Sequence, residues 1–323
     1  MKNVKIALSM TLIVWLGVSF VANNVGAEQS PKQKAVLVTG ASTGIGRNIT
    51  ERLASEGYFV YAGARKEKDL QELDAIENVQ SVRLDVTIQE EIDAAVETIT
   101  KAGRGLYGVV NNAGVAVVGP MIEVEEEDLA FQMDVNVYGP YRITKAFSPL
   151  IIAEQGRITT IGSIAGILSS PFFGPYTMSK HAIEAYTDSL AGEMAKFGVK
   201  VSVIEPGNYR SAISVSLKNR MDARKYSIKG SLFEEEQAQM MIRVGSDRSQ
   251  YKDPDEVADA AMHALFDDKP LRRYMVVPNE FEAGITIKKA MQELIQLNEW
   301  QAYSYDREAL IAILDEALAE SEL

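Results

Sequence analysis

Cysteine is absent from the 323-residue chain, which excludes disulfides, thiolate metal sites and a cysteine nucleophile. Histidine is nearly absent too: His181 and His263 are the only two, too few for a histidine-based metal centre. Positive charge is also in short supply. With 33 Lys and Arg against 45 Asp and Glu, the net charge of −12 argues against nucleic-acid binding as the main activity. No internal repeat, low-complexity tract or Gly/Ser linker divides the chain, whose length suits one large α/β unit.

A long apolar run occurs at the start. Lys2 and Lys5 precede Ile6–Ala22, and Val25-Gly26-Ala27 offers small residues for signal-peptidase cleavage before Glu28. Residues 1–27 therefore read as a cleavable export signal. The alternative is an uncleaved anchor, since the run is just long enough to cross a bilayer. Either reading implies an exported or membrane-anchored protein, the second with membrane association through the N-terminus. The lack of cysteine gives no support for an oxidising compartment.

Beyond this segment, strand-like runs alternate with amphipathic helical ones. The strand candidates are Lys34–Thr39, Tyr58–Ala62, Ser81–Leu84, Gly108–Val110, Arg157–Ile161, Val199–Ile204 and Tyr274–Pro278. Such alternation predicts an α/β fold, a doubly wound parallel sheet of Rossmann type with helices on both faces. The first strand runs into Gly40-Ala41-Ser42-Thr43-Gly44-Ile45-Gly46 and then into a helix that Gly57 can stop. Glycines here permit a tight turn and close approach of backbone to a phosphate, which the helix N-terminus attracts. The spacing G-x-x-x-G-x-G departs from the commoner G-x-G-x-x-G pattern.

Tyr176 and Lys180 stand four residues apart, and Ser163 lies thirteen residues before the tyrosine. On a helix, positions i and i+4 share a face. A phenol of pKa about 10 is only about one part in a thousand ionised at neutral pH, and a fixed ammonium beside it favours the phenolate. Ser163 can hydrogen-bond a substrate oxygen whose proton the tyrosine exchanges. His181 points off the Tyr/Lys face and reads as a surface or packing residue.

Thr39-Gly40-x-x-x-Gly44-x-Gly46, Asn111-Asn112-Ala113-Gly114, Asn136, Ser163 and Tyr176-x-x-x-Lys180 occur together in an order that resembles the short-chain dehydrogenase/reductase family, in the manner of its retinol and hydroxysteroid dehydrogenase branch. The similarity covers about residues 34–280, which the resemblance makes the catalytic domain. It implies an NAD(P)-dependent oxidoreductase acting on a CH–OH group, with Asn136, Ser163, Tyr176 and Lys180 as the catalytic set. Asn136 corresponds to the family residue that holds a water in a proton relay to the lysine; bonding to backbone is the alternative role for such a helix-interior amide. The cofactor would lie on Gly40, Ser42, Thr43, Gly44, Ile45 and Gly46. Asp85 and Val86 would contact its adenine, and Asn112, Ala113 and Gly114 would wall the cleft. Pro206 and Gly207 would sit by the nicotinamide, with Tyr176 and Lys180 at its ribose. A soluble nicotinamide cofactor fits poorly with export, and the sequence leaves that tension open.

Cofactor choice is read at the end of the second strand. Ala64 takes the place of the acid that bonds the ribose 2′-OH of NAD, and Arg65 follows, suited to the 2′-phosphate of NADP. NADP is the expected cofactor. Residues 208–250 form a long segment of the kind that closes over a site as a lid. With Phe172, Phe173 and Val115–Val118 it favours a small hydrophobic alcohol, ketone or aldehyde. Six basic residues between Arg210 and Lys229 either attract an acidic substrate or a membrane, or belong to a solvated lid face. Residues 281–323 read as a helical extension with apolar positions at Leu294, Leu297, Leu310, Ile313 and Leu314. It can pack over the site or against another subunit, and family analogy implies a homo-oligomer. The non-enzymatic alternative is a nucleotide-binding redox sensor or scaffold on the same fold.

Overall fold

Ala35–Val38 is apolar at every position and buried at every position, as a strand covered on both faces must be. Successive side chains point to opposite faces. Val36 and Val38 enter one core, with Ile49 and Leu53 from one helix and Val257, Ala258 and Ala261 from another. Ala35 and Leu37 enter the opposite core, with Ile92, Ile143, Phe147 and Ile151. The two cores make the molecule a three-layer α/β structure.

The computed structural model describes residues 33–244 and 249–321. The segment 1–27, expected to be a signal or an anchor, lies outside the described residues. Among the described residues, no helix is long and apolar enough to cross a membrane. The described strands are β1 (Ala35–Val38), β2 (Phe59–Ala64), β3 (Val79–Arg83), β4 (Gly108–Asn111), β5 (Arg157–Ile161), β6 (Lys200–Pro206) and β7 (Arg273–Val276). They form one sheet in the order β3-β2-β1-β4-β5-β6-β7. Every pairing is parallel. This is the expected doubly wound architecture, with β2 extending to Ala64 and β6 to Pro206, beyond the apolar runs that mark them in the sequence. Pairing to neighbours, which composition does not report, carries the strands further.

Helices α1 (Gly44–Ser55), α2 (Glu67–Asp74) and α9 (Asp255–Phe266) cover one face. Helices α3 (Gln89–Ala102), α5 (Gly139–Ala153) and α6 (Gly174–Met194) cover the other. A further helix, α4 (Glu126–Met133), leads through a π-helical turn (Asp134–Tyr138) into α5. The expected lid contains α7 (Ile213–Ala223) and α8 (Glu234–Val244), and the chain ends in α10 (Glu280–Glu299) and α11 (Arg307–Ser321). Leu294, Leu297, Ile313 and Leu314 on these last helices are exposed. The first turn of α10 is nevertheless fixed to the sheet edge: the Asn279 side chain caps it by accepting from the Glu282 amide at 2.9 Å. Glu282, which is buried, accepts in turn from the Asn208 amide at 2.8 Å.

Strand order reverses between β1 and β4, so the connections leaving these strands diverge and open a crevice at their carboxyl ends. Phe147, fully buried between α5 and the sheet, anchors that side. Phe147→Ala is expected to lower the unfolding free energy by about 3–5 kcal/mol in urea denaturation, through lost burial and the cavity left behind.

Candidate active site

The turn after β1 is stapled to the end of β4. The Thr39 hydroxyl accepts from the amides of Asn112 and Ala113, each at 3.0 Å. The Asn112 side chain donates to the carbonyls of Thr39 at 2.9 Å and Gly40 at 3.1 Å. Two glycines make this approach possible. Gly40 has φ +64°, and a Cβ there would lie 2.9 Å from Ala113 Cα. A Cβ at Gly46 would lie 2.3 Å from Asn112 Nδ2 and 2.4 Å from the Gly40 carbonyl oxygen. Ser42 and Thr43 occupy the outer part of the turn. Thr43 enters α1 in extended geometry and makes no side-chain cap, leaving the first-turn N–H groups around Gly44, Ile45 and Gly46 without that partner. The donor set and the bare backbone cradle fit a dinucleotide pyrophosphate.

Arg65 and Asp85 stand at the ends of β2 and β3. The Arg65 side chain is 63% exposed, and its Nη1 lies 3.3 Å from Asp85 Oδ2. Asp85 Oδ1 accepts from the Thr87 amide at 3.0 Å and its hydroxyl at 2.7 Å. Burial alone would raise the Asp85 carboxyl, but these bonds and the Arg65 charge outweigh it and hold the group below its ordinary value. Val86 is buried behind it, where only a glycine at 139 leaves room: a Cβ there would meet Val86 Cγ2 at 2.7 Å.

Lys180 lies on α6, one turn after Tyr176, and is only 8% exposed. Its Nζ donates to the Ile161 carbonyl at 2.9 Å and sits 5.7 Å from the centroid of the Tyr176 ring. Burial pulls the ammonium down to about 8, against the pull of the Glu184 carboxylate one turn further on. Ser163 follows β5. Its Oγ accepts from the Ala165 amide at 3.1 Å and donates to the Pro206 carbonyl at 3.4 Å, joining the ends of β5 and β6.

Asn136 lies in the π-helical turn, a distortion frequent at functional sites. Its Oδ1 accepts from the Val115 amide at 2.9 Å, and its Nδ2 donates to the Val115 carbonyl at 3.0 Å and to Ser179 Oγ at 3.1 Å. The side chain thus bonds backbone, though of the neighbouring loop and not of its own helix. Two partners escaped the sequence reading. Gln132, fully buried, accepts from the Val117 amide at 2.6 Å and donates to Ser179 Oγ at 3.2 Å. Ser179 donates to the Tyr176 carbonyl at 2.7 Å. The helical spacing of Gln132 from Asn136 was the one available signal.

A continuous series of contacts therefore runs from the glycine turn through Asn112–Gly114, Asn136 and Ser179 to Tyr176 and Lys180, and through Ile161 and Ser163 to Pro206. Gly207 packs against Glu282, whose Oε2 a Cβ would meet at 2.2 Å. Over Tyr176 lies an apolar cluster of Ala116, Val118, Leu217 and Met240, with Phe172, Phe173, Ile213, Met221 and Val244 packed against it. Phe172, at φ +67°, accepts from the Gly119 amide at 2.7 Å and meets the lid residue Phe233 edge-on with centroids 5.8 Å apart. Three of the basic residues of the lid region are engaged in ion pairs: Arg210 with Asp253, Arg220 with Asp128, and Arg224 with Glu127 at 3.2 Å. Among the described residues, no cluster of His, Asp or Glu is placed to hold a metal ion.

Residues 34–222 match the short chain dehydrogenase family. The chain is 34% identical over 263 residues to the mitochondrial D-beta-hydroxybutyrate dehydrogenase of Rattus norvegicus, covering 75% of this chain and 76% of that protein. It is 34% identical over 253 residues to the NADPH-dependent 3-dehydrocapnine reductase of Ornithobacterium rhinotracheale, covering 76% of this chain and 88% of that one. The crystal structure of a short-chain dehydrogenase from Streptomyces avermitilis superposes with a TM-score of 0.68 at 27% identity, covering 84% of this chain and 97% of that one. With the parallel sheet and its glycine turn, these similarities make the chain a member of the short-chain dehydrogenase/reductase family and an NAD(P)-dependent oxidoreductase.

Proposed function

We propose that the protein interconverts a hydrophobic alcohol and its ketone or aldehyde, with Tyr176 exchanging the proton on the substrate oxygen. The observation that carries this reading is a buried ammonium, Lys180, one helical turn from a tyrosine that packs beneath an apolar lid. In that low-dielectric setting the Lys180 charge favours the Tyr176 phenolate, which accepts a proton from an alcohol or, once protonated, returns it to a forming alkoxide. Ser163, held at the junction of β5 and β6, orients the substrate oxygen by hydrogen bonding. Gln132 and Asn136 hold the Val115–Val117 wall against α6, and so fix the distance between wall and tyrosine. When bound, the nicotinamide supplies or accepts the hydride at the carbinol carbon.

The substrate class follows from the walls. Phe172, Phe173, Leu217, Met221 and Met240 are apolar, and they close over the tyrosine. Arg220 and Arg224, candidates for recognising an acidic substrate, are instead paired with Asp128 and Glu127. NADP is the preferred cofactor in this reading. Arg65 is exposed at the end of β2, where Ala64 offers no carboxylate to a ribose 2′-OH, and the Ornithobacterium relative is named for NADPH.

Turnover is followed by nicotinamide absorbance with a panel of apolar ketones and alcohols. Tyr176→Phe is expected to lower kcat by at least ~100-fold with a far smaller effect on cofactor affinity, since it removes the hydroxyl but leaves the ring and Lys180 in place; retained turnover refutes the assignment. Arg65→Ala is expected to raise KM for NADPH about tenfold with little change for NADH, through loss of a charge-assisted contact. Equal losses with both cofactors, or better turnover of NADH by the native chain, would overturn the NADP reading.

A further inference from the structure

Two carboxyl groups that this chemistry does not use lie behind Lys180. Glu184 follows the lysine by one turn of α6, and Glu205 is the penultimate residue of β6, the strand against which α6 packs. Glu205 is 2% exposed and Glu184 14%. Both converge on one guanidinium: Arg273 Nε lies 3.1 Å from Glu184 Oε2 and 3.6 Å from Glu205 Oε1. Its Nη2 is committed to Asp188 at 2.7 Å. Neither Glu184 Oε1 nor Glu205 Oε1 receives a hydrogen bond among the described residues, so the guanidinium on which both carboxyls converge leaves one oxygen of each unsatisfied. Glycines make room for Glu184. A Cβ would lie 3.2 Å from Glu184 Oε1 at Gly162, next to Ser163, and 2.8 Å from it at Gly166, three residues beyond Ser163.

Two carboxylates drawn to one guanidinium, one buried and one nearly so, repel, and each lacks a donor for its orphaned oxygen; one shared proton removes both penalties. We propose that Glu184 and Glu205 share a single proton and act as a positioning pair that keeps one negative charge beneath Lys180, holding the lysine cationic. The inference rests on the role given above to Lys180. Burial and the neighbouring Glu184 carboxylate push the Glu205 carboxyl up to about 8, with Arg273 opposing. The charged groups facing the pair are Lys180 and Asp188 from α6 and Arg273 from β7, with Arg272 reaching Asp188 at 3.7 Å. The 3₁₀ turn Ile164–Gly166 contributes no ionisable group. At neutral pH the cations Lys180 and Arg273 thus face two negative charges, the pair and Asp188. As pH rises through about 8 the pair gives up its proton, and the second negative charge favours the Lys180 ammonium where that group would otherwise lose its own proton.

The test has two arms on the full chain. In infrared difference spectra of the cofactor-free protein between pH 6.5 and 9, ordinary carboxyls are already ionised. The native chain is expected to lose a protonated-carboxylic-acid C=O band across that interval, and Glu205→Gln to lack it. In kcat/KM profiles, the alkaline limb is expected to move about one pH unit lower in Glu205→Gln. Because either single Gln variant retains one negative charge, the loss at pH 7 in Glu184→Gln/Glu205→Gln is expected to exceed the product of the single losses about tenfold. A native chain without the band overturns the shared proton, whatever Tyr176 and Lys180 do. A band present with an unmoved alkaline limb and multiplicative losses overturns the link to Lys180. A Tyr176→Phe variant that retains turnover would instead sink the reading of the site, leaving the infrared result standing.

Discussion

All strand pairings in this sheet are parallel, so every strand delivers its carboxyl end to the same edge, and the reversal of order between β1 and β4 opens a gap there. The functional groups inherit their positions from that constraint. Thr39 and Gly40 leave β1, Asn111–Gly114 end β4, Ser163 follows β5, and Pro206 ends β6. Each is held by backbone that the sheet ladder has already fixed. The hydrogen bonds from Asn112 then tie the ends of β1 and β4 across the gap, and Ser163 ties the end of β5 to that of β6. The glycine turn and the proposed proton-transfer site therefore share one edge without either being built on a long unsupported loop.

Within that frame the demanding element is a buried ammonium. Lys180 loses hydration, and burial alone draws its proton away. The compensation is local and specific: a carbonyl at the end of β5 accepts a hydrogen bond from the ammonium, and a carboxylate one helical turn on opposes the shift. The same helix presents Ser179 to the Asn136 and Gln132 amides on the opposite side. Helix α6 is thus gripped from both flanks, which fixes the rotation that aims Tyr176 into the apolar cluster.

The region after β6 illustrates how charge and apolarity divide their work. Arg220 and Arg224 reach back to Asp128 and Glu127 on α4, which closes α7 over the tyrosine and withdraws those charges from the interior. Ser231 Oγ donates to Glu123 at 2.6 Å, and the Leu232 amide donates to the same carboxylate at 2.8 Å, adding a second tie beside α4. What remains on the inside is the packing of Leu217, Met240 and their neighbours. The polar side chains tie α7 to α4 at the rim, and the apolar side chains pack together beneath.

Much of this was readable along the chain, because it depends on local periodicity. The apolar run before Gly40, the turn, the helix after it, and the i, i+4 relation of Tyr176 to Lys180 all concern residues that are near neighbours in sequence. So does the alternation of strands and helices, which leaves few topologies once the parallel crossover rule is applied. The basic run from Arg210 to Lys229 could not be interpreted the same way, since Asp128 lies 92 residues from Arg220. Gln132 and Ser179 are separated by 47 residues, and Arg273 is 89 residues from Glu184; in sequence they look like ordinary surface polar side chains. Local chemistry identifies a group that can react, because backbone geometry is short-ranged. Its charge state and its neighbours depend on which distant side chains the packed sheet brings within a few ångströms of it, and folding alone makes that assignment.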